Sequence, residues 1–251
     1  MNAVKEKLKQ GQPVFGGWIM TASPVVAELF TRVGFDWVAV DTEHAPVSAE
    51  TLPIMLGIIE KGGAVPFVRL AGNDPVLIKQ ALDAGAAGLI APQINSLAET
   101  QAFVSAALFP PQGNRGVSFC RASGYGDRFD DYVRNFNRDL VLVAMMENAA
   151  ALPEIEAIAA VPELDAFFIG PYDLSSSLGK PGDFSSPDFS AALKKVESAA
   201  RKAGLPMGRH VVPPDNGQIK SAVDNGYLFI GCSVDTRILL HGARAMMDGI
   251  K

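Results

Sequence analysis

Eight short runs of apolar residues recur along the chain, and longer segments with helical spacing separate them. The segments PVVAELFTRVG and PVLIKQALDAG illustrate the second class, since each begins with Pro, keeps apolar residues on one face and ends at Gly34 or Gly85. Strand and helix in alternation predict parallel strands joined by crossover helices. The predicted strands are VFGGWIM, DWVAVD, VPFVRL, GLIAPQ, LVLVAMME, AFFIGP, PMGRHVV and YLFIGCS.

The number of these units and the size of the chain select a fold class. Strands that are apolar throughout are covered on both faces, and eight βα units in 251 residues match the size of a TIM (β/α)₈ barrel. We therefore predict an α/β protein with a single barrel domain over residues 1–251. An open, doubly wound sheet is the alternative, although no Gly-x-Gly-x-x-Gly motif follows the first strand.

Composition and charge remove several classes of function. Hydrophobic residues make up 48% and charged residues 20% of the chain, and no apolar run approaches the ~18 residues that span a bilayer. The first residues, MNAVKEKLKQ, lack the apolar segment of a secretory signal. A net charge of −5 gives no general attraction for phosphate backbones, and Cys120 and Cys232 form neither a metal-ligand spacing nor a disulfide framework. The sequence predicts a cytoplasmic protein that binds neither membranes nor nucleic acids.

Charged side chains follow four of the predicted strands. In a barrel the carboxyl ends of different strands build the active site, so these side chains are expected to meet at one mouth. For any single residue, a surface charge or a half-buried ion pair is an equally good interpretation. The set comprises Asp41, Glu43 and His44 after the second strand, Arg69 at the end of the third, Glu147 after the fifth and Asp173 after the sixth.

Two of these carboxylates point to a metal ion. Glu147 and Asp173 end strands that are otherwise apolar, where an unpaired charge would be costly and a cation is the natural compensation. Two carboxylates completed by water or ligand oxygens suit a hard divalent ion such as Mg²⁺ or Mn²⁺ better than Zn²⁺, which prefers histidine or thiolate. Such a site leaves open positions for a substrate that can chelate.

Two short motifs, DTEHAP at residues 41–46 and GPYDLS at residues 170–175, stand in this order on the predicted barrel. Around them lie GGWIMTASPVVAELFTRVGFDW, PFVRL, DPVLIKQALDAGAAGLIAP, PPQGNRG and MMEN. Together these segments resemble the HpcH/HpaI aldolases, metal-dependent class II enzymes that make or cleave 2-keto acids through a pyruvate enolate. The likeness covers Gly16 to about Gly182 clearly and the last two strands more loosely.

The resemblance implies a role for each of the main strand-end residues. His44 is similar to the active-site base, and Arg69 to the group that stabilises charge on the keto oxygen. Glu147 and Asp173 resemble the ligands of a divalent metal ion, Mg²⁺, Mn²⁺ or Co²⁺. The implied substrates are pyruvate or hydroxypyruvate and an aldehyde.

The resemblance also implies further members of the pocket and an assembly. Asp83 is similar to an acid that supports the base of a neighbouring subunit, which implies a homo-oligomer, a hexamer in the family, and Asp41 resembles a polar member of the pocket. Gly170, Pro171 and Tyr172 correspond to a substrate-binding segment, in which the family usually has, in place of Tyr172, a small residue whose backbone N–H holds the substrate carboxylate. Met145, at a substrate-binding position, departs from the family, which commonly has Gln two residues before the glutamate, with an amide that contacts the substrate or a metal-bound water.

The segment from Pro110 to Asp139 is too long and polar for an ordinary βα connection. Within it, Arg121 and Tyr125 are predicted to contact the aldehyde or a neighbouring chain, and a solvated insertion is the alternative. Trp18, near the end of the first strand, is predicted to pack in the core or to form an apolar wall of the mouth.

Three functional interpretations follow. A pyruvate-type aldolase is favoured, and no lysine occupies a strand end from which it could form a Schiff base instead. An acyl-CoA ester lyase similar to the citrate lyase β subunit is the second, although no basic patch is available for nucleotide phosphates. The third is a non-catalytic barrel that acts as a binding protein, against which the intact strand-end set argues.

Overall fold

Eight parallel strands form a closed barrel in chain order, with the first strand paired to both the second and the eighth. The structure is a computed structural model and describes residues 2–248 and 250. The ends of the predicted domain, residues 1 and 251, lie outside the described residues. All eight predicted strands are confirmed. They are β1 (Val14–Ile19), β2 (Trp37–Asp41), β3 (Val65–Arg69), β4 (Gly88–Ala91), β5 (Val141–Met146), β6 (Ala166–Ile169), β7 (Met207–Val211) and β8 (Phe229–Cys232).

Helices alternate with these strands and cover the outside of the barrel, except that α1 packs Val4 and Leu8 against the interior at the amino ends of the strands. They are α1 (Ala3–Lys9), α2 (Pro24–Thr31), α3 (Thr51–Lys61), α4 (Pro75–Asp83), α5 (Leu97–Ala107), α6 (Phe129–Asp139), α7 (Ile155–Ala159), α8 (Pro171–Ser177), α9 (Pro187–Ala203), α10 (Asn216–Asp224) and α11 (Asp235–Asp248). Short 3₁₀ helices span Arg121–Gly126 and Ala149–Glu154. None of the helices in the described ranges is both long and apolar enough to cross a membrane.

Local sequence signals explain where α2 and α4 begin. Ser23 and Asp74 cap their first turns, each accepting a hydrogen bond from a backbone N–H inside the helix, and Pro occupies the first helical position in both cases. Past the helix ends the chain turns at Gly34 and Gly85, whose φ angles of 89° and 106° favour glycine. Both boundaries follow the predicted pattern.

The barrel interior is filled by aromatic side chains. The rings of Trp37 and Phe229 stack with centroids 4.2 Å apart, and Phe67 packs against both. A Cβ atom at Gly16 would lie 2.0 Å from the Trp37 ring, and one at Gly88 would lie 2.2 Å from Phe67, so these glycines make room for the rings. A filled interior confines any ligand to the mouth.

The segment interpreted from sequence as a long loop is largely ordered. It contains the 3₁₀ helix and α6, which packs Phe136 and Tyr132 against Phe109. The Arg115 side chain lies buried among these rings, with its guanidinium carbon 4.3 Å from the Phe136 centroid. Arg115 and Phe136 thus pack into this segment, whereas residues 116–119 are exposed, so the alternative of a solvated insertion stays open there.

Candidate active site

Asp41 organises the carboxyl ends of β2 and β3, where it is the register partner of Arg69. Its Oδ2 accepts a hydrogen bond from Trp18 Nε1 at 2.9 Å and a longer one from Arg69 Nη1 at 3.4 Å. Its Oδ1 accepts the backbone N–H groups of Glu43 and His44, both at 2.9 Å. Because both oxygens are occupied, Asp41 orients Arg69 and shapes the turn that carries His44.

Arg69 is a buried cation surrounded by carboxylates. Its Nη2 lies 2.5 Å from Glu43 Oε2 and 3.9 Å from Glu147 Oε2. Its Nε is buried without a hydrogen-bond partner among the described residues. In a site with little water the charge of a guanidinium is poorly screened, so Arg69 exerts a strong field on any oxygen bound at the mouth.

Glu147 follows β5 and presents one unoccupied oxygen. Its Oε1 accepts hydrogen bonds from the backbone N–H and the side-chain amide of Gln93, at 2.8 and 3.2 Å. Its Oε2 is buried and has no hydrogen-bond partner in the described part of the chain. Burial raises the pKa of Glu147 to about 7, despite the opposing effects of Gln93 and Arg69. A buried oxygen without a partner is the feature that a bound cation would satisfy.

Gly170 and Asp173 bring the end of β6 to the same place. A Cβ atom at Gly170 would lie 2.5 Å from Glu147 Oε2, so only glycine lets the carboxylate lie against this backbone. Asp173 is exposed in the first turn of α8, and its negative charge contributes to the raised pKa values of Glu147 and Glu43. The strongest cause at Glu43 is burial. Asp173 is thus near enough for its charge to act on Glu147, and the role of the two residues as metal ligands stays a prediction.

This donor set fits a hard divalent ion. Within the described ranges, no group of three or more His, Cys, Asp and Glu side chains is arranged to hold a metal. A site built on Glu147 and Asp173 alone therefore leaves the remaining coordination positions to water and substrate oxygens, which suits Mg²⁺ or Mn²⁺.

His44 and Tyr172 lie at the open side of the mouth. The His44 side chain is 55% exposed, with Nε2 3.9 Å from Glu43 Oε2. Tyr172 follows Pro171 at the start of α8, is exposed and packs edge-on against Phe184. His44 is accessible to a substrate and to another chain, and Tyr172 forms part of the rim.

Asp83 does not reach the mouth of its own barrel. It is the last residue of α4, and its Oδ1 accepts a hydrogen bond from Arg115 Nη2 at 2.7 Å. It lines a groove of about 510 Å³ on the outside of the barrel, together with residues of α3 and the exposed Tyr125. Its role toward the His44 of a neighbouring subunit stays a prediction.

Arg121 is also placed away from the mouth. Its guanidinium binds Glu60 in the last turn of α3 and the Ala84 carbonyl oxygen after α4, at 2.5 and 3.1 Å. In a barrel these helix ends lie beside the amino ends of the strands, opposite the active site. The predicted contact of Arg121 with an aldehyde in the same chain is therefore not supported by its placement, and a contact with a neighbouring chain stays a prediction.

Trp18 and Met145 lie inside the barrel beneath the charged group. Trp18 is 2% exposed and stacks on Phe168 and His210, so it supports Asp41 from below and does not line the mouth. Met145 is 5% exposed within the same interior group. Trp18 therefore acts on the site through Asp41.

Sequence reasoning missed two residues of this region, Gln93 and His210. Gln93 is the last residue of the predicted fourth strand, GLIAPQ, so its polar side chain at a strand end is the signal that could have found it. His210 follows Arg209 in β7, and two basic residues inside a strand are the signal that could have found it. Its Nε2 lies 3.0 Å from the Ser233 carbonyl oxygen, and burial lowers its pKa to about 4.

The low pKa of His210 predicts a loss of stability in acid. The unfolded chain binds a proton near pH 6.5, whereas folded His210 resists it until about pH 4, so stability is present above pH 6.5 and is lost between these values. The loss amounts to at most roughly 3 kcal/mol. We expect the unfolding temperature of His210→Gln to decrease less between pH 6.5 and pH 4 than that of the wild type. An equal decrease in the two proteins would contradict this.

The chain is similar to known proteins over almost its whole length. A family profile described as HpcH/HpaI aldolase/citrate lyase matches residues 15–242. A 2-dehydro-3,6-dideoxy-6-sulfogluconate aldolase from Pseudomonas putida is 36% identical over 245 residues, covering 97% of this chain and 95% of the relative. A hydroxypyruvate/pyruvate aldolase from Paraburkholderia phytofirmans is 35% identical over 257 residues, covering 100% and 98%. A crystal structure of an HpcH/HpaI aldolase/citrate lyase family protein from Burkholderia cenocepacia has a TM-score of 0.94 at 33% identity, covering 100% and 99%.

Proposed function

Because the chain belongs to the HpcH/HpaI aldolase/citrate lyase family and its full-length relatives are aldolases, we propose that it makes or cleaves 2-keto acids through the enolate of pyruvate or hydroxypyruvate. The second substrate is an aldehyde, and a divalent metal ion is required. One observation carries the proposal, namely the buried Glu147 Oε2 without a hydrogen-bond partner, which faces Arg69 at the mouth. The aldolase names of these relatives disfavour the acyl-CoA lyase and the non-catalytic barrel.

Glu147 and Asp173 would hold the divalent ion. When bound, such an ion supplies positive charge where the enolate oxygen develops its negative charge. The fit rests on the buried Oε2 of Glu147 and on an all-oxygen donor set. Gly170 keeps the space beside Oε2 free of side-chain atoms.

Arg69 stabilises the same developing charge from a second direction. Its guanidinium is held by Asp41 and Glu43 before substrate arrives, so no reorganisation is needed in the reaction. A planar fork with several N–H donors fits a keto oxygen better than a flexible ammonium group.

His44 carries the proton. In the cleavage direction it accepts the proton of the 4-hydroxyl group, directly or through a water, while the C3–C4 bond breaks and the aldehyde leaves. The electron pair of that bond remains as the enolate, which takes up a proton at C3 to give pyruvate. The backbone hydrogen bond from His44 to Asp41 fixes the turn from which the imidazole works.

The proposal is tested with pyruvate, hydroxypyruvate and a panel of aldehydes. Exchange of pyruvate methyl protons with deuterated solvent and aldol formation should both disappear after exhaustive chelation and return with Mg²⁺, Mn²⁺ or Co²⁺. Full activity of rigorously metal-free protein would contradict the metal requirement. Absence of exchange with every metal, combined with saturable binding of a CoA ester, would favour the acyl-CoA lyase.

The outside of the barrel supports self-association. From Thr236 to Asp248 every residue of α11 is exposed, and the helix presents Leu239 and Met246, at 76% and 75% exposed, to solvent. An apolar helix surface of this kind is typical of an interface. Because Asp83 lies at the last residue of α4 and its carboxylate is bound by Arg115, a second copy is the partner that would bring it to His44.

We therefore predict a homo-oligomer, a hexamer by resemblance to the family, with an active site shared between chains. Light scattering should give a multiple of the 26.6 kDa chain mass, and Leu239→Lys with Met246→Lys should reduce both mass and activity. Asp83→Asn should keep the assembly and lower kcat by roughly 10-fold or more, the scale of impaired proton transfer. A fully active monomer at assay concentration would contradict the shared site. The cytoplasmic location stays a prediction.

A further inference from the structure

Gln93 provides both hydrogen bonds that the described residues give to the Glu147 carboxylate. Its backbone N–H and its Nε2 donate to the same oxygen, Oε1, at 2.8 and 3.2 Å. The second oxygen, Oε2, receives none and lies against the Gly170 backbone. One residue therefore fixes the carboxylate in the orientation that leaves Oε2 available to a ligand.

The backbone of Gln93 is unusual in a way that serves this contact. Its φ angle is 50°, in the left-handed region that residues with side chains seldom adopt. Its Oε1 accepts a hydrogen bond from Asn148 Nδ2 at 3.4 Å. Gln93 thus connects the loop after β4 to both residues that follow β5. Its strained backbone conformation directs two hydrogen-bond donors toward Glu147.

The neighbouring position on β5 offers no such donor. Side chains alternate along a strand, so residue 145 shares a face with residue 147. Met145 is buried among the interior apolar side chains and has no N–H or O–H to give. The side-chain amide that Glu147 receives therefore comes from the loop after β4 and not from its own strand.

We infer that Gln93 is a positioning residue that orients Glu147 for the divalent ion, supplying from the loop after β4 an amide that Met145 does not offer. This inference rests on the metal site of the proposed function. Partners of this kind fix the direction of a ligand oxygen, and their loss typically weakens metal affinity by about 10-fold to 100-fold.

Gln93→Met is the variant that tests the inference. Methionine is close to glutamine in size and equally unbranched, so it keeps the backbone hydrogen bond and removes only the side-chain amide. Gln101→Met, at an exposed position on α5, is the matched control. The Kd for Mn²⁺ is measured by electron paramagnetic resonance, with thermal unfolding recorded on the same samples.

We expect a Kd about 10-fold to 100-fold higher for Gln93→Met, with an unchanged Kd for Gln101→Met and an intact unfolding transition in both. Adding Met145→Gln to Gln93→Met should restore affinity, because the new amide shares a strand face with Glu147. Equal Kd values for wild type and Gln93→Met, or a double variant that binds no better than Gln93→Met, would overturn this inference alone. A wild-type chain that binds no Mn²⁺ would overturn the proposed metal site as well.

Discussion

Replacing Glu147 by glutamine is expected to abolish divalent-metal binding and the aldol reaction while the barrel stays folded. The amide keeps the shape of the carboxylate but removes the negative charge and turns one oxygen into a donor group. We expect kcat/KM to fall by roughly 10³-fold or more, the upper scale of losing a preorganised electrostatic contact. Isothermal titration with Mn²⁺ and the pyruvate exchange assay measure the two effects.

The same substitution should stabilise the metal-free protein. Burial raises the pKa of Glu147 from 4.5 to about 7, so folding favours the protonated form of this carboxyl group. The folded protein therefore becomes less stable as the pH rises through 7. Above that pH, Glu147→Gln removes a buried charge and should gain roughly 1–3 kcal/mol. Glu156→Gln, at a side chain 70% exposed, is the control. Wild-type Mn²⁺ affinity in Glu147→Gln would place the metal elsewhere.

Arg69→Lys should reduce kcat by roughly 10²-fold or more, which is the scale of losing one oxyanion donor. The increase in KM should be smaller. The Arg69 fork contacts Asp41 and Glu43 at once, and a lysine ammonium cannot reproduce that geometry. If Arg69 stabilises the enolate, the variant should also lose exchange of pyruvate methyl protons with deuterated solvent. Nuclear magnetic resonance of pyruvate with variant and metal measures this directly.

The outcome of the exchange experiment separates two roles for Arg69. Exchange needs the enolate but no aldehyde, so wild-type exchange alongside lost aldol activity would move Arg69 to aldehyde binding. Arg32→Lys is the matched control, since Arg32 pairs with Glu28 on the exposed surface of α2. The control should leave both reactions unchanged.

The strands and the charged end of the barrel could be predicted because both depend on local sequence. Continuous apolar runs mark strands covered on two faces, and the charged residues that follow them stand out against that background. The placement of Asp41, Arg69 and Glu147 at one mouth could be predicted from the rule that the carboxyl ends of the barrel strands build the active site. The resemblance to a known family added a role for each residue.

The remaining errors concern contacts between distant parts of the chain. Arg121 binds Glu60, which is 61 residues away, and no local pattern encodes that pairing. Gln93 contacts Glu147 through a left-handed backbone conformation that its residue type does not predict. Whether the Trp18 ring is buried in the barrel or lines the mouth depends on the direction of the β1 side chains. A shift of one position along the strand would change the outcome.

The two tryptophans of the chain lie at different levels inside the same barrel. Trp37 is wholly buried in the aromatic stack with Phe229, and its ring meets that of Trp18 edge-on with centroids 6.4 Å apart, so the emissions of the two rings are coupled. Trp18 donates its indole N–H to Asp41, which also holds Arg69, so its emission should respond to ligands at the mouth. Replacing one ring by phenylalanine would therefore isolate the emission of the other, leaving Trp37 as an optical reporter of global unfolding or Trp18 as a reporter of site occupancy.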